Sequence, residues 1–122
     1  MKLTNGKIYS AAGVLQKLST TKLPIKVAYT LKRNIDRLNK PFKLINEQRV
    51  ELVKKYGEPM KDKPEEFIVS PEKREEFFKE FNELMDFEEE VDIRKLTIDE
   101  LGDVEITPEE LSIIEFMLDV ED

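Results

Sequence analysis

PIKVAYTLKRNIDRLNKPFKLINEQRVELVKKYG, running from Pro24 to Gly57, is the stretch whose reading decides the fold. Within it Ala28, Leu31, Ile35, Leu38, Phe42, Ile45, Arg49, Leu52 and Tyr56 recur at alternating steps of three and four. That is the a/d rhythm of a coiled-coil-like seam, held for about four heptads, and it predicts one long helix with an apolar stripe. Pro24 suits the first turn, where no amide hydrogen bond is lost. Lys54 and Lys55 followed by Gly57 mark the end, cations near the negative pole and then a glycine beyond the last turn. Unbroken, such a helix would be about 48 Å long at about 1.5 Å per residue.

Two residues disturb this pattern. Pro41 lacks an amide hydrogen and clashes with the carbonyl four residues earlier. The apolar phase nevertheless runs unchanged from Leu38 to Phe42, which favours a kinked continuous helix over two helices joined at Asn39-Lys40. Arg49 falls on the seam, where a charge needs a carboxylate or a route to water. The plain reading is an arginine snorkelling at a thinly covered part of the seam. The sharper one is a buried pair that fixes register or oligomeric state.

Around the helix, 122 residues are enough for a single domain with a modest core. Its parts would be a basic helical hairpin over 1–57 and an acidic helix, small sheet and final helix over 67–118. The sequence has no cysteine and no histidine. Disulfides, thiol nucleophiles and thiolate metal sites are thereby excluded, as are the commonest general base and the commonest transition-metal ligand. Nothing resembles a signal peptide, and no apolar run approaches the ~20 residues that span a bilayer. A soluble, intracellular chain without membrane contact is expected.

The net charge of −7 conceals a division. Met1–Tyr56 carries thirteen Lys/Arg against three Asp/Glu, and Gly57–Asp122 carries seven against twenty-four. Either acidic elements cover the basic helix within one molecule, or the fold shows two faces of opposite sign, one for nucleic acid or an acidic partner and one for a basic partner.

In chain order, Met1–Leu3 can form an edge strand. Thr4 or Asn5 caps a helix over about Gly6–Leu18, with Ile8, Ala11, Ala12, Leu15 and Leu18 as its stripe and Gly13 allowing the close approach of another backbone. A polar turn, Ser19–Lys22, leads into the long helix, so the two should pack antiparallel. Glu58–Pro64 reads as a loop and Phe67–Val69 as a short strand. Ser70 and Pro71 open a third helix whose Phe77, Phe78, Phe81, Leu84 and Met85 should face the long one. Alternation at Val91 and Ile93, and again at Val104 and Ile106, predicts strands over Val91–Ile98 and Val104–Ile106. Thr97 with Glu100 can make a capping box for a single turn ended by Gly102. Thr107-Pro108-Glu109-Glu110 starts a final helix to about Leu118, before an acidic tail over Asp119–Asp122. The fold class is therefore α+β: mainly helical, a hairpin or small bundle centred on the long helix, with a small antiparallel sheet in the C-terminal half.

Carboxylates are the one catalytic group present in quantity. Asp86, Glu88, Glu89, Glu90 and Asp92 form one cluster, and Asp99, Glu100, Asp103, Glu105, Glu109 and Glu110 another. Clustered oxygens can hold magnesium or calcium, but the second cluster lacks the spacing of a calcium loop, and solvation and helix capping account for most of these residues. The four glycines are scattered, so no phosphate-binding motif exists. An enzyme, a cofactor, a bound metal and a small-molecule substrate are accordingly not expected. Lys26, Lys32, Arg33, Arg37, Lys40, Lys43, Lys54 and Lys55 could line a basic strip, but solvated lysines are the default way to keep a long helix soluble, so nucleic-acid binding is disfavoured. Candidate partner-binding residues are Lys32, Arg33, Arg37, Lys40, Lys43 and Arg49 on the basic side. On the acidic side they are Glu88, Glu89, Glu90, Asp103 and Glu105.

Four stretches carry a family likeness: Met1-Lys2-Leu3-Thr4-Asn5-Gly6-Lys7-Ile8-Tyr9, Lys22-Leu23-Pro24-Ile25-Lys26-Val27, Lys54-Lys55-Tyr56-Gly57, and Leu101-Gly102-Asp103-Val104-Glu105-Ile106-Thr107-Pro108 with the Phe-Met helix after it. On these, over nearly its full length, the chain resembles a family of small proteins encoded by tailed phages and prophages of Gram-positive bacteria. The motifs are not catalytic, and the family brings no assigned activity. The resemblance implies a late phage gene lying near those of tail components. The protein would lie in the cytoplasm of the infected or lysogenic host or in the virion. Two roles follow: a structural or assembly protein that self-associates, as a dimer through part of the long-helix seam, or an acidic-surfaced inhibitor that mimics nucleic acid toward a host or defence protein.

Overall fold

The computed structural model describes residues 1–63 and 65–119. Its elements are β1 (Lys2–Thr4), α1 (Asn5–Ser19), α2 (Ile25–Tyr56), β2 (Gly57–Pro59), β3 (Phe67–Val69), α3 (Arg74–Asp86), β4 (Glu88–Glu90), β5 (Leu96–Thr97), α4 (Ile98–Leu101), α5 (Pro108–Ile113) and β6 (Leu118–Asp119). The class is α+β and mainly helical, with α1 and α2 forming a hairpin. β1 pairs antiparallel with β4, β2 antiparallel with β3, and β5 parallel with β6.

α2 is one helix of 32 residues that passes through Pro41 without a break. Pro24 sits just outside it and accepts from Ala28 N–H at 2.9 Å, so its missing amide costs nothing there. The seam holds at Leu31, Leu38 and Ile45, which are 2–3% exposed. Between them the deepest positions are Val27 and Asn34, one residue earlier than Ala28 and Ile35, which are half-covered. The buried stripe is therefore centred slightly to one side of the predicted seam: α2 is covered by α1, by α3 and β3, and by the chain around Arg94.

α1 begins where expected. The Thr4 hydroxyl accepts from Lys7 N–H at 3.2 Å, and Ile8, Ala11, Val14, Leu15 and Leu18 are buried. Gly13 is a correction: it is exposed, and a Cβ there would meet nothing within 4 Å, so no backbone approaches it. Gly57 is the glycine that close approach requires. A Cβ there would lie 2.9 Å from the Ile68 carbonyl oxygen and would also strike that of Val53. It ends α2 in an extended conformation, φ −108°, and opens β2 in place of the expected loop. Pro64, at the end of that loop, lies outside the described residues.

Ser70 and Pro71 start a single 3-10 turn, Pro71–Lys73, from which α3 continues. Its aromatic face is only partly core. Phe77 is buried, Phe81 half-buried and Phe78 about half exposed at 49%. Phe77 stacks on Phe81 at 5.8 Å between ring centroids and meets Tyr56 of α2 edge-on at 6.5 Å. This aromatic group at the far end of α2 stands apart from the main core of Leu3, Ile8, Leu18, Leu31, Leu38, Leu96, Ile114 and Met117.

The strands expected over Val91–Ile98 and Val104–Ile106 do not form as such. Strand pairing falls earlier, at Glu88–Glu90, and survives in 96–97 alone. Val91 and Ile93 do alternate inward against outward Asp92 and Arg94. Their stretch gains no neighbouring strand because a side chain takes the place of one. Asn34, fully buried at 0% exposure, donates its Nδ2 to the Arg94 carbonyl at 2.8 Å, and its Oδ1 accepts from Arg94 N–H at 3.0 Å. Both capping boxes are present, Thr97 with Glu100 and Thr107 with Glu110, and Gly102 ends α4 at φ +59°. The final helix is shorter than predicted. α5 stops at Ile113, a 3-10 turn over Glu115–Met117 follows, and Leu118 enters β6, burying Ile114, Met117 and Leu118. Of the expected acidic tail, Asp119 belongs to β6, and residues 120–122 lie outside the described residues.

Candidate protein-interaction surface

The charge division of the sequence is partly closed within the fold. Among the described residues four ion pairs join the basic half to the acidic half. They are the Met1 amino group to Glu90 at 2.6 Å, Lys17 to Glu110 at 3.0 Å, Arg37 to Asp92 at 3.1 Å and Lys55 to Glu80 at 3.0 Å. A fifth, Lys32 to Asp36 at 2.7 Å, lies within α2 at i,i+4 spacing. The hydrogen bond from Lys55 holds Glu80 below the ordinary carboxylate value and raises Lys55 in return. Glu110 is lowered first by Lys17 and then by the Thr107 N–H, so one carboxylate both caps α5 and ties it to α1. Each pair has at least one partner well open to solvent, where an ion pair contributes little to stability.

The predicted partner residues divide into four groups. Arg37 and Lys40 on α2 share a groove with Glu89 and Glu90 on β4, together with Asp36, Pro41, Leu44, Val91 and Asp92, around a cavity of about 570 Å³. A second cavity of about 260 Å³ shares Pro41, Leu44 and Glu89 and is also lined by Asn5, Ile45, Gln48, Leu84, Phe87 and Glu88. Lys32, Arg33 and Lys43 line neither cavity. Asp103 and Glu105 are exposed between α4 and α5, away from the groove. Arg49 has no carboxylate partner among the described residues. It is half-buried, and its Nε and Nη2 donate to Asn46 Oδ1 at 3.3 Å, so the seam carries no buried ion pair there. Clustered carboxylates do not come together into a metal-holding group among the described residues. No described helix is long and apolar enough to cross a membrane.

Sequence reasoning missed three features of this region. Leu44 and Phe87 are 53% and 65% exposed, and both line the smaller cavity. Leu44 was hidden from the heptad count because it lies off the seam, and Phe87 because it sits between a helix and a strand. Asn5 is the third. Only 6% exposed, it donates its Nδ2 to the Leu84 carbonyl at 2.9 Å and its main-chain N–H to Phe87 O at 2.7 Å. It thereby closes the end of α3, whose last carbonyls have no partner within the helix. Its Oδ1 is buried without a hydrogen-bond partner. An asparagine after a threonine cap is a signal of helix start, and nothing in the sequence links it to residue 84.

The seam itself is not an open surface. Leu31, Leu38 and Ile45 are covered within one chain, so association between molecules would use other residues. The most exposed apolar pair on α2 is Ile25 and Tyr29, at 86% and 65%, one helical turn apart. Compared with family models, with curated proteins and with solved structures, the chain has no match in any of the three.

Proposed function

We propose that the chain is a non-enzymatic protein, encoded by a tailed phage or prophage, that works through contacts with other proteins in a structural or assembly role. The observation that carries the protein-contact reading is the groove between α2 and β4. There exposed Leu44 stands beside charges of both signs, and exposed Phe87 lines the adjoining smaller cavity with Glu88 and Glu89. An apolar centre rimmed by charge is the composition of a protein-binding surface. The phage assignment rests on the sequence resemblance alone. Pairing of Arg37 and Lys55 with carboxylates interrupts the basic strip of α2, which supports the reading against nucleic acid. Self-association is part of the proposal, now through surfaces other than the seam.

Sedimentation at low and high salt, with and without duplex DNA, tests it. The expected result is a self-associating species weakened by salt and indifferent to DNA, because exposed charges are screened within about 8 Å at physiological ionic strength. A salt-independent monomer would remove self-assembly and favour the second reading, an acidic-surfaced inhibitor. The observation favouring that reading is the run of outward Glu75, Glu76, Glu83, Asp86, Glu88 and Glu89 along α3 and β4, which form no ion pair among the described residues. A salt-dependent DNA complex would overturn both.

A further inference from the structure

We propose that the free edge of β4, with the groove between it and α2, binds an extended, lysine- or arginine-bearing segment of a partner protein as a third strand. The inference rests on the protein-contact reading and names the chemistry of its partner. β4 has one neighbour among the described residues, β1. The ladder bonds Val91 N–H to Met1 O at 2.9 Å and Asn5 N–H to Phe87 O at 2.7 Å flank the register Lys2↔Glu90, Leu3↔Glu89, Thr4↔Glu88. Because hydrogen-bonded and non-hydrogen-bonded pairs alternate, Leu3 and Glu89 are bonded to one another. The main-chain N–H and C=O groups of Glu88 and Glu90 therefore point away from β1. Such an edge is a template for an added strand.

The groove supplies acceptors and negative charge. Pro41 has no N–H, so the Arg37 carbonyl cannot receive its helical bond from residue 41, and both residues line the groove. Arg37 is already engaged by Asp92 at 3.1 Å. Glu90 is likewise engaged by the Met1 amino group at 2.6 Å, and Lys40 also lines the groove, so the negative charge on offer is that of Glu88 and Glu89, which form no ion pair among the described residues, with Pro41, Leu44 and Phe87 as apolar footing. The complementary occupant carries donors and positive charge, with alternate apolar side chains. A second copy of this chain does not fit. Antiparallel pairing of two β4 strands would set Glu88–Glu90 against the same three glutamates, and like charges directly opposite one another are destabilising.

The test uses the full chain, labelled for amide NMR, and three probes. One is a short synthetic peptide alternating Lys and Val. The second is the same peptide N-methylated at alternate backbone positions, and the third a Glu–Val counterpart. The expected result is that the Lys–Val peptide shifts the amides of Glu88 and Glu90 together with those of Leu44 and Phe87. It should slow hydrogen exchange at Glu88 and Glu90 by about tenfold or more, and the other two peptides should bind about tenfold more weakly or less well still. Leu44→Arg, on the exposed face of α2, should weaken the Lys–Val peptide while leaving the unfolding midpoint unchanged. Equal binding of the N-methylated peptide would mean charge attraction without a strand, and would overturn the proposal. So would shifts centred on the outward carboxylates of α3, or no shift at all. None of these failures touches the broader protein-contact reading, which the sedimentation result decides independently.

Discussion

Asn34 is the residue whose replacement most directly tests how the C-terminal half is held on the helical hairpin. Its amide bonds both the N–H and the C=O of Arg94, at 3.0 and 2.8 Å, and is itself wholly buried. Asn34→Ala removes two hydrogen bonds and leaves two main-chain groups facing a side chain that cannot pair with them. A buried polar group left unsatisfied costs about 1–3 kcal/mol, so the two together cost about 2–6 kcal/mol. The Arg94 side chain is exposed, which lets water reach part of the gap, and the expected loss is therefore in the lower half, about 2–3 kcal/mol. Against a domain stability of about 5–15 kcal/mol that is a large fraction. Asn34→Leu should recover little of it, since similar volume does not restore the bonds. Asn34→Asp keeps the shape but brings a buried carboxylate to the Arg94 carbonyl. Burial raises the folded-state pKa of such a group, so this variant should be most stable when protonated and lose stability as pH rises through the carboxylate range. Urea unfolding at constant m gives the free energies, and hydrogen exchange at the Arg94 amide gives the local readout. A cost below about 1 kcal/mol for Asn34→Ala, with Arg94 exchanging no faster than in the parent, would refute the claim that this clasp holds residues 91–95.

Two further outcomes follow from packing and charge. Leu38→Ala, at 3% exposure, should destabilise by about 2–5 kcal/mol, whereas Phe78→Ala, at 49% exposure, should cost clearly less; equal losses in urea unfolding would mean that α3 buries a different face. Glu80 and Glu110 are held below the ordinary carboxylate value in the folded chain, so their contribution is present above that value and lost as pH falls through their lowered pKa values. Unfolding midpoints followed from neutral to acid pH should converge for the parent and Glu110→Gln; profiles that stay parallel would show that the Lys17 and Thr107 bonds to Glu110 carry no linkage.

Sequence alone determined those features whose partners lie within a few residues of one another. The long helix followed from the recurrence of Leu31, Leu38 and Ile45, because side chains three and four apart share a helical face wherever the helix finds itself. Both capping boxes followed from Thr97 with Glu100 and from Thr107 with Glu110, whose donors and acceptors are three residues apart. The α+β class and the acidic character of Glu88–Glu90 were equally legible.

Contacts across many residues were decided only by the tertiary structure. Alternation at Val91 and Ile93 says which side chains turn inward, and the same alternation serves a paired strand or a lone extended segment. Which of the two forms depends on what meets the backbone, and that is Asn34, 60 residues away. Gly57 likewise gives notice of a helix end, but that its missing Cβ makes room for Ile68 depends on the strand that returns beside it. The groove joins Arg37 and Lys40 to Glu89 and Glu90 for the same reason. Charge composition divides the chain into basic and acidic halves, and only the packing of β4 beside α2 selects which of those charges face one another.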